Sequence, residues 1–193
     1  MSIITEILDH RLPARLAELN TFIVLASALE AREPNSLELK IDADTYSISN
    51  ARLLLDVVAD GAVVIARTLL QFLGISYSAS TAKLSDMNWK ADDVSITQLN
   101  LSPVTPAIAT AGWPEAPQRA EDLLILCFKT GNKVSAHFTT NRASTQGATI
   151  SELREAFDLV TRLVNRSVYQ PSGRDHVGFS ASGNHGHIVI TTG

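Results

Sequence analysis

A polar segment between two apolar stretches holds the residues best suited to chemistry. Within Gly131–Arg142 (GNKVSAHFTTNR), His137 follows Asn132 by five positions and Arg142 follows His137 by five. A neutral imidazole can act as a general base near pH 7, and a guanidinium can hold a phosphate. Arg67, in the apolar sequence ARTLLQFLG, is a second candidate cation. These residue types suit general-base catalysis beside a bound phosphate.

A structural interpretation of the same residues stays open. His137 can be a histidine at a helix end that is hydrogen-bonded to a neighbour, with Asn132 and Arg142 capping or solvating the turn. The catalytic interpretation requires that a base and a cation lie together in one cleft, whereas the structural interpretation does not. The site prediction therefore depends on the elements that position His137 relative to Arg67 or Arg142.

The helical pattern from residue 47 to residue 168, together with this polar segment, resembles the HEPN family of four-helix-bundle proteins. Many members are RNases of toxin–antitoxin and antiphage systems, and their signature is an Arg followed after a few residues by a His. In this chain Asn132 stands where the Arg would be, and Arg67 or Arg142 would have to replace it. The resemblance implies either an RNase with His137 as base and RNA as partner, or an inactive relative.

A second cluster consists of His176, His185 and His187 near the end of the chain. On a strand, residues 185 and 187 point to the same face, so both imidazoles could bind one Zn²⁺ or Ni²⁺ with His176 as a third ligand. The alternative is that a segment rich in Gly and Ser carries histidines without a metal. No glycine-rich phosphate loop or dinucleotide fingerprint occurs, so no cofactor is expected.

Two further features are interpreted as structural. The single cysteine, Cys127, lies in the apolar run LLILCF, which favours a buried thiol over a nucleophile. The adjacent carboxylates Asp92 and Asp93 lack a third ligand nearby, and a solvated loop is expected there.

The segment Ser47–Gly74 is predicted to be the central helix. Its charged or large polar residues fall within a stripe about 100° wide, and they are Arg52, Asp56, Asp60, Arg67 and Gln71. The rest of the surface is apolar, which is typical of a helix with several neighbours. The stripe is interpreted as a solvated face with an Arg52–Asp56 pair. The alternative places Asp60 and Arg67 in a buried site, and Gly61 suggests close approach of another helix.

Other long helices precede and follow this one. Helical spacing extends from Ile3 to about Arg32, with Pro13 either kinking the helix or starting a new one. Another helix is predicted to begin between Glu115 and Gln118, and the next at the capping box Thr149–Glu152. Together with Ser47–Gly74, these segments predict a four-helix bundle.

The remaining segments are predicted to be irregular or β. Residues 75–113 show no sustained period and are expected to form a cap or lid, with one helical turn after Asp92 or Asp93. Leu37–Ile41 is a candidate strand, and His187–Thr191 favours a hairpin or an added strand.

Composition limits the class of protein. The chain has 193 residues, a net charge of −4 and a pI near 5.7, which argues against a generally basic nucleic-acid surface. Neither a signal peptide nor an uncharged membrane span is apparent, so we expect a cytoplasmic, soluble protein with no membrane partner.

The sequence thus predicts a mainly α fold: a four-helix bundle with a long irregular cap and a short C-terminal β element. One domain covers residues 1–193, with a bundle core at about residues 3–170 and a tail at 171–193. The predicted function is that of a helical-bundle interaction or assembly protein that forms a homodimer. The alternative is the HEPN-like RNase or its inactive relative.

Overall fold

Helices form most of the part of the chain that the computed structural model describes, which is residues 2–30, 37–41, 43–111, 113, 116–136, 148–174 and 188–191. The mainly α prediction is confirmed. The helices are α1 (Ile3–Glu6), α2 (Leu12–Glu30), α3 (Ala51–Leu73), α4 (Pro106–Ala111), α5 (Pro117–Ala136) and α6 (Ile150–Val164).

The four long helices share one apolar core. Helix α2 packs against α3 and α6, α5 packs against α3 and α6, and α3 also contacts α6. Phe22 of α2 meets Phe157 of α6 edge to face, with ring centroids 5.0 Å apart. Because both rings are fully buried, this pair joins the first and last long helices inside the core.

A small ion-pair network joins α5 to α6. Arg119 donates to Glu155 at 2.7 Å and to Glu152 at 3.4 Å. The Glu155 carboxylate raises the pKa of Arg119. Glu152 also completes the predicted capping box, in which Thr149 and Glu152 satisfy each other's backbone N–H groups. The hydrogen bond from the Thr149 N–H lowers the pKa of Glu152, so one carboxylate caps α6 and holds α5.

Pro13 changes the helical register without ending the helix. A π turn, Ile7–Arg11, connects α1 directly to α2, and the Leu12 N–H donates to the Ile7 carbonyl. The next donor in that register would be Pro13, which has no N–H, so it cannot bond the Leu8 carbonyl. The Tyr169 hydroxyl donates to that carbonyl at 3.1 Å instead.

Tyr169 ends a second π turn, Asn165–Tyr169, which extends α6. Its side chain is buried, and desolvation raises the pKa of the phenol to about 12. Nearby, Arg174 forms an ion pair with Asp9. The buried Tyr169 ring, its hydrogen bond to Leu8 and the Arg174–Asp9 ion pair attach the C-terminal end of the helical region to the first turns of the chain.

The ends of α3 agree with most of the sequence signals. The Asn50 side chain accepts the Leu53 N–H at 3.2 Å, and Gly74 closes the helix with a φ of 116°. The sequence offered Ser47, Ser49 and Asn50 as caps, and the helix uses Asn50, whereas Ser47 belongs to a strand.

A three-stranded antiparallel sheet lies before α3. Its strands are β1 (Leu37–Ile41), β2 (Asp44–Ile48) and, near the end of the chain, β5 (Ile188–Thr191), in the order β2-β1-β5. The predictions of a strand at Leu37–Ile41 and of a C-terminal β element are confirmed. Strand β2 was not predicted: its first residues were left unassigned, and Ser47 and Ile48 were included in the predicted helix.

The connection between α3 and α5 is more regular than predicted. It contains a hairpin of β3 (Ile75–Ser78) and β4 (Lys83–Asp86), a 3₁₀ turn (Ile96–Leu99) and α4. The predicted single turn is present, but Ser95 caps it with Gln98, whereas Asp92 and Asp93 precede it.

Trp89 fixes this connection over the C-terminal end of α3. Its indole N–H donates to the Gln71 carbonyl at 2.9 Å, which also accepts the Gly74 N–H in the last turn. A Cβ at Gly74 would lie 3.0 Å from Pro103 and 3.3 Å from the Trp89 ring. Gly74 is therefore required both by its backbone conformation and by this close packing.

Candidate functional site

The predicted catalytic residues differ in how far the structure describes them. Arg67 lies on α3 and is half-buried. Asn132 belongs to α5, of which the structure describes only the backbone at that position. His137 and Arg142 lie outside the described residues. The proposed base therefore has no observed position relative to Arg67.

Arg67 nevertheless lies against the part of α5 that leads to His137. A Cβ placed on Gly131 would be 3.2 Å from Arg67 Cδ and 3.5 Å from Val63 Cγ1. The aliphatic part of the Arg67 side chain thus crosses α5 one residue before Asn132. Gly131 allows this close approach, since a larger residue would have to displace the Arg67 stem.

The prediction that Gly61 marks a helix crossing is wrong. A Cβ placed there would have no neighbouring atom within 4 Å, because Gly61 lies on the exposed side of α3. The close approach occurs instead at Gly131, where the helix continues without a break. The sequence has two glycines inside apolar helices, Gly61 and Gly131. The periodicity of a single helix does not show which of these glycines faces another helix.

The candidate functional site suggested by the structure is the exposed face of α3. Leu53 and Val57 are 56% and 64% exposed and lie one turn apart. The same face continues through Gly61 and the half-buried Val64 to the exposed Thr68. Neighbouring exposed apolar side chains on one helix face can form part of a surface that binds another protein.

Charged residues line one edge of this face. Arg52 and Asp56 form the predicted i, i+4 pair at 3.5 Å, and both are well exposed. Asp60 and Arg67 continue the edge as half-buried residues. The interpretation of the polar stripe as a solvated face is confirmed for the Arg52–Asp56 pair, but the exposed arc is wider than the stripe. The exposure of Leu53 and Val57 was not predicted, because every apolar position of the helix was assigned to the core.

The other candidates carry no chemistry in the described part of the chain. Cys127 is completely buried, as predicted, and desolvation raises the pKa of its thiol to about 12. Asp93 accepts the Lys90 N–H at 2.7 Å in an exposed turn. Among the described residues no group of three His, Cys, Asp or Glu side chains could hold a metal ion. His176, His185 and His187 lie outside those residues.

The N-terminal helical stretch Ile3–Leu29 is the one place, among the described residues, where length and composition would allow a membrane crossing. Helices in the core of soluble proteins and signal sequences have the same properties. In this chain Leu19 and Phe22 of the stretch are fully buried in the core.

Comparisons with models of protein families, with curated proteins and with solved structures return no match for this chain. Its function is therefore argued from its own residues.

Proposed function

We propose that this chain is a cytoplasmic four-helix-bundle assembly protein that forms a homodimer through the exposed face of α3. The observation that carries the proposal is the exposure of Leu53 and Val57 beside each other on that face. Burying such side chains contributes about 1.5–3 kcal/mol each when they leave water completely. In a dimer, the same face of a second copy would cover these exposed apolar side chains.

Charge complementarity favours a second copy in antiparallel orientation. Asp56 and Arg67 lie on the same side of α3, about 8 Å on either side of a midpoint close to Gly61. A two-fold axis at this midpoint brings Asp56 opposite Arg67 of the partner subunit, and the symmetry repeats the contact. Gly61 lets the two helices approach closely at the centre.

Sedimentation equilibrium on two substitutions tests the apolar part of the face. Val57→Asp would bury a charge in the interface and should weaken association by about tenfold or more. Ile108→Asp is the matched control, because Ile108 is 49% exposed on α4 and lies outside the face. The wild type and the control should be dimers at micromolar concentration. A wild type that stays monomeric at high micromolar concentration contradicts the proposal.

A charge exchange tests the orientation. Asp56→Arg and Arg67→Asp should each weaken the dimer, because each places like charges opposite one another. The double exchange should restore the association. If the double variant is weaker than both single variants, the antiparallel arrangement is wrong.

The HEPN-like RNase remains a second proposal because Arg67 lies against α5 one residue before Asn132. In this proposal His137 is the base, and Arg67 or Arg142 holds the phosphate. Purified wild-type protein should then cleave single-stranded RNA, and His137→Ala should abolish cleavage while leaving the sedimentation behaviour unchanged. Equal cleavage by both proteins would show that His137 is not the base and would remove this proposal.

A further inference from the structure

A cavity of about 330 Å³ opens beside the first turns of the chain. It lies between the π turn at Ile7–Arg11, the last turns of α3 and the loop that carries Trp89. Its volume is at the lower end of the range for small-molecule sites, about 300–1,000 Å³. The cavity does not include Leu53, Val57 or Arg67, but its lining includes Thr68, the last residue of the exposed face of α3.

The inner walls of the cavity are apolar. Leu12 and Phe72 are core residues whose outer surfaces face it, and Trp89 and Val94 close it from the loop side. The indole N–H of Trp89 is already bonded to the Gln71 carbonyl. The ring of Trp89 therefore offers apolar contact, and its position is fixed before any ligand arrives.

Two arginines, one helical turn apart, line the same cavity. Arg11 and Arg15 are about half exposed, and each forms a single ion pair along its own helix, with Glu6 at 3.3 Å and with Glu18 at 3.1 Å. Exposed pairs of this kind contribute about 0–1 kcal/mol each. Each guanidinium has five N–H donors, so both arginines can turn to a ligand at little cost.

The two arginines of the cavity wall favour an anionic group on the ligand, which would replace the carboxylates of Glu6 and Glu18 as their partner. The third charged lining residue is Asp93. Asp93 already accepts the Lys90 N–H and would repel a second negative charge. A carboxylate matches the forked geometry of a guanidinium, and an apolar body matches Phe72 and Trp89.

We propose that this cavity binds a small monocarboxylate with an apolar body, whose carboxylate is held by Arg11 and Arg15 and whose hydrocarbon part packs against Phe72 and Trp89. The groups that would hold the ligand differ from those of the proposed dimer contact, and the two sites adjoin at Thr68.

Titration with octanoate, followed by calorimetry and by the NMR signal of the Trp89 indole N–H, tests the site. Octanoate should saturate the wild type and shift that signal. The double variant Arg11→Gln/Arg15→Gln should bind about tenfold or more weakly. Arg162→Gln is the control, because Arg162 is also an exposed arginine in a helical ion pair but lies outside the cavity and outside the exposed face of α3.

Octanol tests whether the charge matters. It has a comparable hydrocarbon chain without the carboxylate and should bind much more weakly than octanoate. Equal binding of octanol and octanoate overturns the proposal, and so does octanoate binding that the double substitution leaves unchanged. Absence of octanoate binding at millimolar concentration overturns it as well, because the wild type is folded in that experiment.

Discussion

A single proline determines the most unusual polar contact in the core. Pro13 removes the donor that the π turn would offer to the Leu8 carbonyl, and Tyr169 supplies that donor from the other end of the helical region. An unsatisfied buried carbonyl costs about 1–3 kcal/mol, so the hydroxyl matters more than its one bond suggests. The pair could not be predicted from sequence, because it joins residues 161 positions apart.

Tyr169→Phe should therefore lower the free energy of unfolding by about 1–3 kcal/mol. The ring stays in the core, and only the donor to Leu8 is lost. Urea denaturation at neutral pH measures the change. Tyr46→Phe is the control: Tyr46 is 52% exposed on β2, and its substitution should change stability by less than about 0.5 kcal/mol. Equal effects of the two substitutions would contradict the assigned bond.

The stabilities of the wild type and of Tyr169→Phe should also differ in how they depend on pH in the alkaline range. Burial raises the pKa of Tyr169 to about 12, whereas an unfolded tyrosine has a pKa of about 10. The stability that Tyr169 contributes is thus fully present below about pH 10 and is lost as the pH rises toward 12. The advantage of the wild type over Tyr169→Phe should shrink across this window in urea titrations. A difference in stability that does not change with pH would mean that burial does not raise the pKa of the Tyr169 phenol.

At the scale of elements, the ends of helices were predictable where a local signal determines them. Gly74 and the Thr149–Glu152 capping box are such signals, because each acts within one helical turn. The start of α3 was misplaced, because Ser47 could cap a helix but is used in strand β2, which pairs with β1. Whether such a residue lies in a strand or caps a helix depends on the strand with which it can pair. The sequence of one segment does not show that strand.

Gly61→Ala should stabilise α3 by about 0.5–1 kcal/mol. Gly61 lies inside the helix with open space where a Cβ would be, so alanine reduces the entropy of the unfolded chain without a clash. Denaturation in a Val57→Asp background measures the effect without self-association. Gly74→Ala is the opposing control and should destabilise by more than about 1 kcal/mol, since its φ is 116° and Pro103 is in contact. A loss of stability in Gly61→Ala would contradict the exposed position.

At the scale of the whole molecule, the mainly α class was predictable, because the apolar periodicity of the long helices exists before any packing. The candidate site was not. Exposure of Leu53 and Val57, and the cavity between Phe72 and Trp89, depend on which neighbouring helices and loops cover α3. His137 and Arg142 stay predictions, since they lie outside the described residues.

Cys127 offers a probe of opening of the whole core. Its thiol is fully buried and desolvation raises its pKa to about 12, so almost none of it is ionised at pH 8. A disulfide reagent such as Ellman's should react with the native protein only as fast as the core opens, and stoichiometrically in denaturant. Rapid stoichiometric labelling of the native protein would contradict the burial of this residue.

The bond between Tyr169 and Leu8 also has a consequence for the order of folding. Closing a loop of 161 residues is entropically costly, so this contact should form after the neighbouring helices have paired. In rapid-mixing experiments Tyr169→Phe should then speed unfolding and leave the refolding rate almost unchanged, which corresponds to a φ-value near zero. The hydrogen bond between the two π turns would thus slow unfolding and set the lifetime of the native state.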